Sequence, residues 1–328
     1  MAGRFKIKNV VDLSNTPVGT ELPESDFVTT LNDGKFVQME YIDEDKEKEP
    51  YDVEAGIWSI ASYGGVLKLE KTEFSKENIL ESFVSTKQIT DKIDCFFNKL
   101  HIYAKYGITI PKRGVLLYGP PGSGKTSGLK IIANTYNSAG KTAIILWPTD
   151  KIDPHDVKEF IKSFRYKNVD KFILIAEDLG GVEIDEVKVK SYSSLLALLD
   201  NQEQAFKVPT IILATTNHPE VFLGNITNRP GRFSDKVEVG YPNTAARKEL
   251  IKFFLKERAT DDVLEEVSKK KYTEFTPAHI QEIALRADLY DLTIVDSMKQ
   301  INEEIAQFKK MFTKKKELGI NGGPEYFD

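Results

Sequence analysis

The chain has 328 residues, 41% of them hydrophobic and 29% charged, with a formal net charge of −5. These values give it enough material for a buried core in two or three domains and exclude a largely disordered or fibrous chain. The acidic balance argues against a dominant, sequence-independent hold on nucleic-acid phosphates. A single cysteine, Cys95, permits no internal disulfide and is expected as a small half-buried core residue in a reducing compartment. Residues Met1 to Lys8 carry charges where a signal peptide needs an apolar stretch. No later segment approaches the roughly 20 apolar residues of a membrane span, so the expectation is a soluble intracellular protein without a membrane anchor.

Residues 1–75 show short alternating runs, Phe36 to Ile42 and Val66 to Leu69, with turn signals at Asp33-Gly34 and Gly64-Gly65. They predict a small N-terminal β-rich domain. Between the runs, Asp43 to Glu49 mixes charges of both signs and predicts a solvated loop. From Gln88 the spacing becomes helical, with Ile89, Ile93, Phe96, Phe97 and Leu100 on one face and an end near Gly107. Five apolar runs follow: Val115 to Tyr118, Ala143 to Trp147, Phe172 to Ala176, Ile211 to Thr215, and Val237 to Val239. Helical stretches separate most of them. The clearest is Pro154 to Phe164, where Asp153 can cap and Val157, Phe160, Ile161 and Phe164 form one stripe. This alternation predicts an α/β unit over residues 76–242 with a parallel sheet covered on both faces. Four helices are then expected (Thr244 to Arg258, Asp261 to Lys270, Thr276 to Ala287, Leu292 to Lys310), making a helical subdomain over residues 243–312 and leaving 313–328 as a tail.

The chemistry concentrates at strand ends. Gly119-Pro120-Pro121-Gly122-Ser123-Gly124-Lys125-Thr126, with Ser127 after it, fits G-x-x-x-x-G-K-[ST] and directly follows an apolar run. Gly122 and Gly124 let successive amides turn toward phosphate oxygens, and the next helix presents its positive end to the same anion. Lys125 then reaches the β and γ phosphates, and the Thr126 hydroxyl suits Mg²⁺. The third run ends in Glu177-Asp178, two carboxylates at the edge where open sheets bind ligands. Because neighbouring strand residues point oppositely, one carboxylate can face the Mg²⁺ shell while the other faces the γ-phosphate and a water. Asn217 ends the next run and can orient a water without adding charge. His218 reads as a loop residue.

Taken together, Gly114 to Gly122, Glu177-Asp178, Thr216-Asn217 and Arg229-Pro230-Gly231-Arg232-Phe233 resemble the AAA branch of AAA+ ATPases, over roughly Ser85 to the end of the fourth late helix. The resemblance implies a five-stranded parallel αβα P-loop ATPase core, a C-terminal helical lid, ATP and Mg²⁺ as cofactors, and a homo-oligomer, usually a six-membered ring acting on a protein client. It also implies that Arg229 and Arg232 reach the nucleotide of an adjacent subunit. Three features depart from the family's usual pattern. The acidic pair runs Glu-Asp instead of Asp-Glu, which by the resemblance brings the longer Glu177 to the metal and leaves the shorter Asp178 to reach the water; the segment around Gly224-Asn225 lacks an Asp-Pro, and Trp147 to Asp153 lacks the aromatic-aliphatic-glycine pore signature. A second pore-facing candidate is Gly181 to Val187, and Tyr326-Phe327-Asp328 only faintly matches a proteasomal docking tail. Two alternatives share the core: a nucleic-acid motor using Lys269 to Lys271 or Lys314 to Lys316, and a nucleotide-gated scaffold with weak turnover.

Overall fold

The computed structural model describes residues 4–12, 27–30, 35–42, 51–74, 84–149, 151–179, 205–219 and 233–317. Three strands, β1 (Arg4–Asp12), β2 (Phe27–Thr30) and β3 (Lys35–Ile42), form an antiparallel sheet in the order β1-β3-β2. After β4 (Tyr51–Glu54) come β5 (Gly56–Tyr63) and β6 (Val66–Lys71). Gly64 and Gly65 join these two with φ of 57° and 84°, the left-handed pair that a two-residue hairpin turn with matching twist requires.

The central unit begins with helices α1 (Val84–Asn98) and α2 (Leu100–Lys105). Periodicity suggested one helix here; the chain breaks at Lys99, where the backbone leaves helical geometry while Ile89, Ile93, Phe96 and Phe97 stay buried as expected. Cys95 is exposed on α1, not half-buried, because the stripe that packs inward passes on either side of it. Strand β7 (Lys112–Tyr118), helix α3 (Lys125–Ser138), strand β8 (Thr142–Pro148) and helix α4 (Pro154–Lys162) follow. Asp153 caps α4 by accepting from the His155 amide at 2.7 Å, with Pro154 in the first turn. Phe164 leaves that helix and opens a short strand, β9 (Phe164–Lys167), which pairs in parallel with β4. Strands β10 (Lys171–Glu177), β11 (Thr210–Thr216) and β12 (Phe233–Glu238) complete the unit.

The main sheet runs β12-β7-β11-β10-β8-β5-β6. Its first five strands are the parallel α/β core that the apolar runs predicted. The other two were expected in the N-terminal domain. Instead β5 pairs in parallel along β8, Gly56 opposite Ala143 through Ser59 opposite Leu146, and β6 adds antiparallel to β5. Two cores cover the sheet faces. Phe172, Leu174 and Ala176 of β10 pack with α4 on one side, and Ile173 and Ile175 pack with α1 and α3 on the other. A strand buried on both faces carries near-continuous apolar sequence, which is why β10 and β11 read so clearly.

A third core binds helices α5 (Thr244–Leu255), α6 (Asp261–Glu266), α7 (Pro277–Leu289) and α8 (Ile294–Glu317) into the expected helical subdomain. Arg247, 2% exposed, ties α5 to its surroundings by donating to the carbonyls of Pro242 and Val267 and to the Thr244 hydroxyl. No helix among the described residues is long and apolar enough to cross a membrane. Asp43 to Glu49, Gly181 to Val187, Gly224-Asn225 and the residues after 317 lie outside the described residues.

Candidate nucleotide site

Register brings the motif residues to one level. Tyr118, the last residue of β7, pairs with Thr216 of β11, and Ala176 of β10 pairs with Ala214. Gly119, Asn217 and Asp178 therefore emerge side by side at the C-terminal edges of three adjacent strands, spaced about 5 Å from strand to strand.

The loop between β7 and α3 is built from positions where a side chain cannot fit. Gly119 has φ of 153°, and a Cβ there would lie 2.1 Å from the Val239 carbonyl oxygen. Gly122 has φ of 73°, with Ala278 and Thr276 of the helical subdomain against it, and Gly124 enters α3 with φ of 94°. Pro120 and Ser123 are buried, while Pro121, Gly122 and Thr126 are exposed and Ser127 is half-buried. Lys125 is only 8% exposed; its ammonium donates to the carbonyls of Gly119 and Pro120, both at 2.8 Å. Burial pulls its pKa down to about 8, with the Asp178 charge opposing that shift.

The acidic pair divides as alternation requires. Glu177 shares the parity of Ile173 and Ile175 and so belongs to the α3 side of the sheet. Burial raises its pKa, the Lys130 charge lowers it and the Asp178 charge raises it again. Among the described residues no hydrogen-bond donor reaches its carboxylate. Asp178 leaves the strand with φ of 53°; its amide donates to the Thr215 hydroxyl at 2.9 Å, and its carboxylate accepts from Asn217 Nδ2 at 2.9 Å. Asn217 Oδ1 is buried without a partner among the described residues. Thr149, after β8, donates its hydroxyl to the Glu177 carbonyl and steadies the strand end.

A cleft of about 420 Å³ opens here, bounded by Lys125, Thr126, Asp178 and Asn217 on the sheet side. Its other wall is Leu250, Phe253 and Phe254 of α5 with Pro277, Ala278 and Gln281 of α7. The Ala278 amide donates to the Gly122 carbonyl at 3.3 Å, so the helical subdomain touches the loop directly. Thr276 and His279 cap α7 reciprocally at this contact. Sequence reading did not find this apolar wall, because a helix stripe facing a cleft has the same spacing as one facing a core.

A family description, ATPase family associated with various cellular activities (AAA), matches residues 115–241, which run from the strand before the loop to the connector before α5. This part of the chain is an AAA ATPase domain. Over 158 residues, 46% of the chain, it is 31% identical to ATPase family gene 2 protein of Saccharomyces cerevisiae, covering 20% of that protein. Over 181 residues, 51% of the chain, it is 31% identical to the cell division cycle protein 48 homolog of Archaeoglobus fulgidus, covering 24% of it. Over 279 residues, 77% of the chain, it is 27% identical to the proteasome-activating nucleotidase of Methanothermobacter thermautotrophicus, covering 65% of it. The chain thus spans less than two thirds of each of these relatives.

Within the AAA domain the donor set fits Mg²⁺. That ion takes one or two protein oxygens and otherwise uses phosphates and water, which matches one hydroxyl, Thr126, and one undonated carboxylate, Glu177. No group of three or more metal-ligating side chains occurs among the described residues. Arg229 and Arg232 lie outside the described residues. In the segment without the pore signature, the Trp147 indole donates to the Ile152 carbonyl at 2.9 Å and Ile152 is 5% exposed, while Asp150 lies outside the described residues. His218 is a loop residue whose amide is bound by the Thr216 hydroxyl.

Proposed function

We propose that the chain binds ATP with Mg²⁺ between the phosphate loop and the helical subdomain, hydrolyses it, and works as a homo-oligomeric, six-membered ring. Turnover is coupled to remodelling or assembly of a protein client engaged by the N-terminal β-rich region. The observation that carries this reading is the convergence of Lys125, Asp178 and Asn217 on one wall of a cleft whose opposite wall is the lid. In this arrangement Gly119 to Ser127 cradle the phosphates, and Thr126 and Glu177 hold the metal, which neutralises phosphate charge when bound. Asp178 accepts the proton of the attacking water, and Asn217 fixes the carboxylate's direction. Arg229 and Arg232 act on a neighbour's nucleotide, where guanidinium charge offsets that of the transferring phosphoryl.

The Glu177-Asp178 order suits this division, because Glu177 keeps to the α3 face of the sheet while Asp178, with its positive φ, lines the cleft beside Lys125 and acts on its charge. A nucleic-acid motor is disfavoured, since Lys269 and Lys271 both pair with Glu266 at the surface. The test is ATP turnover by the purified chain with and without Asp178→Asn. Turnover lost with ATP retained supports the reading. Equal turnover in both rejects it, and slow turnover in the wild type with tight ATP retention favours a nucleotide-gated scaffold.

A further inference from the structure

We infer that the groove beside α1 is a docking site for an acidic segment of a partner protein, one in which an aromatic or aliphatic side chain is flanked by carboxylates. This goes beyond the nucleotide reading and does not depend on it.

The groove holds about 750 Å³ between α1, α2 and the edge formed by β7 and β12. Arg113 lies near the start of β7 and Gly119 just past its end, so the groove is roughly 20 Å from the phosphate loop, at the other end of the same strand. Helix α1 is amphipathic. Ile89, Ile93 and Phe97 turn to the core, while Lys92, Cys95 and Lys99 line the groove.

The largely buried Asp235 carboxylate accepts from Lys92 at 2.7 Å and also from Arg113, so one negative charge answers two cations. Lys99 and Lys236 have no partner among the described residues. Four cationic side chains thus face two carboxylates, on a chain whose net charge is −5. The local field has the sign opposite to that of the chain. Between the cations the lining is apolar: Phe96 bounds it from the core side, and Ile102, 39% exposed, stands three residues past Lys99. Tyr103 accepts from Arg113 Nη1 at 3.4 Å, which leaves its hydroxyl hydrogen to donate to a carboxylate. An apolar surface rimmed by unpaired ammonium groups complements a peptide with an apolar anchor between acids. It suits a nucleic-acid strand less well, because stacking needs an exposed aromatic face and the exposed hydrocarbon here is the aliphatic Ile102.

Cys95 is the chain's single cysteine and is exposed in the groove, so its alkylation rate is a local reporter. The experiment uses the full chain without nucleotide, fluorescein-labelled peptides Glu-Glu-Leu-Glu-Glu and Glu-Glu-Phe-Glu-Glu, and iodoacetamide. At about 50 mM salt at least one peptide is expected to bind and, at saturation, to slow Cys95 alkylation; binding should weaken about threefold or more at about 200 mM. Lys99→Glu and Lys236→Glu should each weaken it about five- to twentyfold with the melting temperature unchanged, and the glutamine variants should lose less. Alanine in place of the central apolar residue should cost about five- to fiftyfold. Peptides that fail to bind, that bind both glutamate variants as well as wild type, or that leave Cys95 alkylation unchanged overturn the inference. So does stronger protection of Cys95 by a single-stranded oligonucleotide of equal charge, which would make the patch a phosphate site. A Cys95 that is shielded in concentrated protein and becomes reactive on dilution would assign the groove to a second copy of the chain, and overturns it as well.

Discussion

Lys125→Met separates what the lysine does for ATP from what it costs the folded chain. In the fold its pKa falls from an ordinary 10.5 to about 8, and a difference of that size corresponds to about 3 kcal/mol between the charged and neutral forms. The two 2.8 Å bonds to Gly119 and Pro120 do not cancel this, because a neutral amine still has two hydrogens to donate to them. The sign follows from proton counting. Between pH 8 and 10.5 the unfolded chain holds the proton and the folded chain does not, so the wild type gains stability as pH rises through that window. Below pH 8 the full cost is present.

Methionine removes the charge and its pH dependence, and leaves two carbonyls without a donor at a cost of about 1–3 kcal/mol. The variant is therefore expected within about 1 kcal/mol of wild type at pH 7, where the two costs offset each other. At pH 10.5 it should be less stable by about 1–3 kcal/mol, a change of about 3 kcal/mol in the offset between the two pH values. Denaturant titrations of both proteins without nucleotide, at pH 7 and 10.5, measure this as a difference of differences in which other titrating groups cancel. ATP affinity should fall at least roughly a hundredfold in the same variant. An offset between the proteins that is constant with pH would show the ammonium to be solvated, and would refute a phosphate loop pre-formed around its lysine.

Asp178→Asn should retain ATP while turnover drops about 10²- to 10⁴-fold, and Glu177→Gln should mainly raise the Mg²⁺ requirement; exchanged phenotypes in paired binding and turnover assays would invert the assignment. Gly119→Ala should fold poorly or lose nucleotide binding, since its Cβ meets backbone, not a movable side chain; a stable variant with normal ATP affinity would contradict the Val239 contact. Mixing inactive Arg232→Ala subunits with inactive Lys125→Ala subunits should restore some hydrolysis, because a mixed ring places an intact pocket beside an intact arginine. Confirmed mixed assembly without activity, together with weakened ATP binding by Arg232→Ala alone, would assign the arginine to its own subunit.

The central core was legible because its strands are short, apolar and separated by helical stretches, one of them opened by the Asp153 cap and Pro154, and the phosphate loop because glycine spacing encodes backbone angles directly. Three things were not. β9 is four residues long and continues the helical stripe of α4 through Phe164, so no change of period marks it. The wall made by Leu250, Phe253 and Phe254 lies more than a hundred residues from Lys125, and nothing local connects them. The hairpin alternates like any half-exposed sheet, and alternation states that a strand pairs without stating with what.

That hairpin also governs how force would travel. β5 lies parallel to β8 and is hydrogen-bonded along four residue pairs. Tension applied through the chain preceding β5 runs along the strand, so the bonds to β8 would share the load in shear instead of opening one after another. β8 leads at its far end into Thr149, whose hydroxyl holds the strand end carrying Glu177. A pull delivered to β5 would thus be borne by the same sheet that aligns the acidic pair.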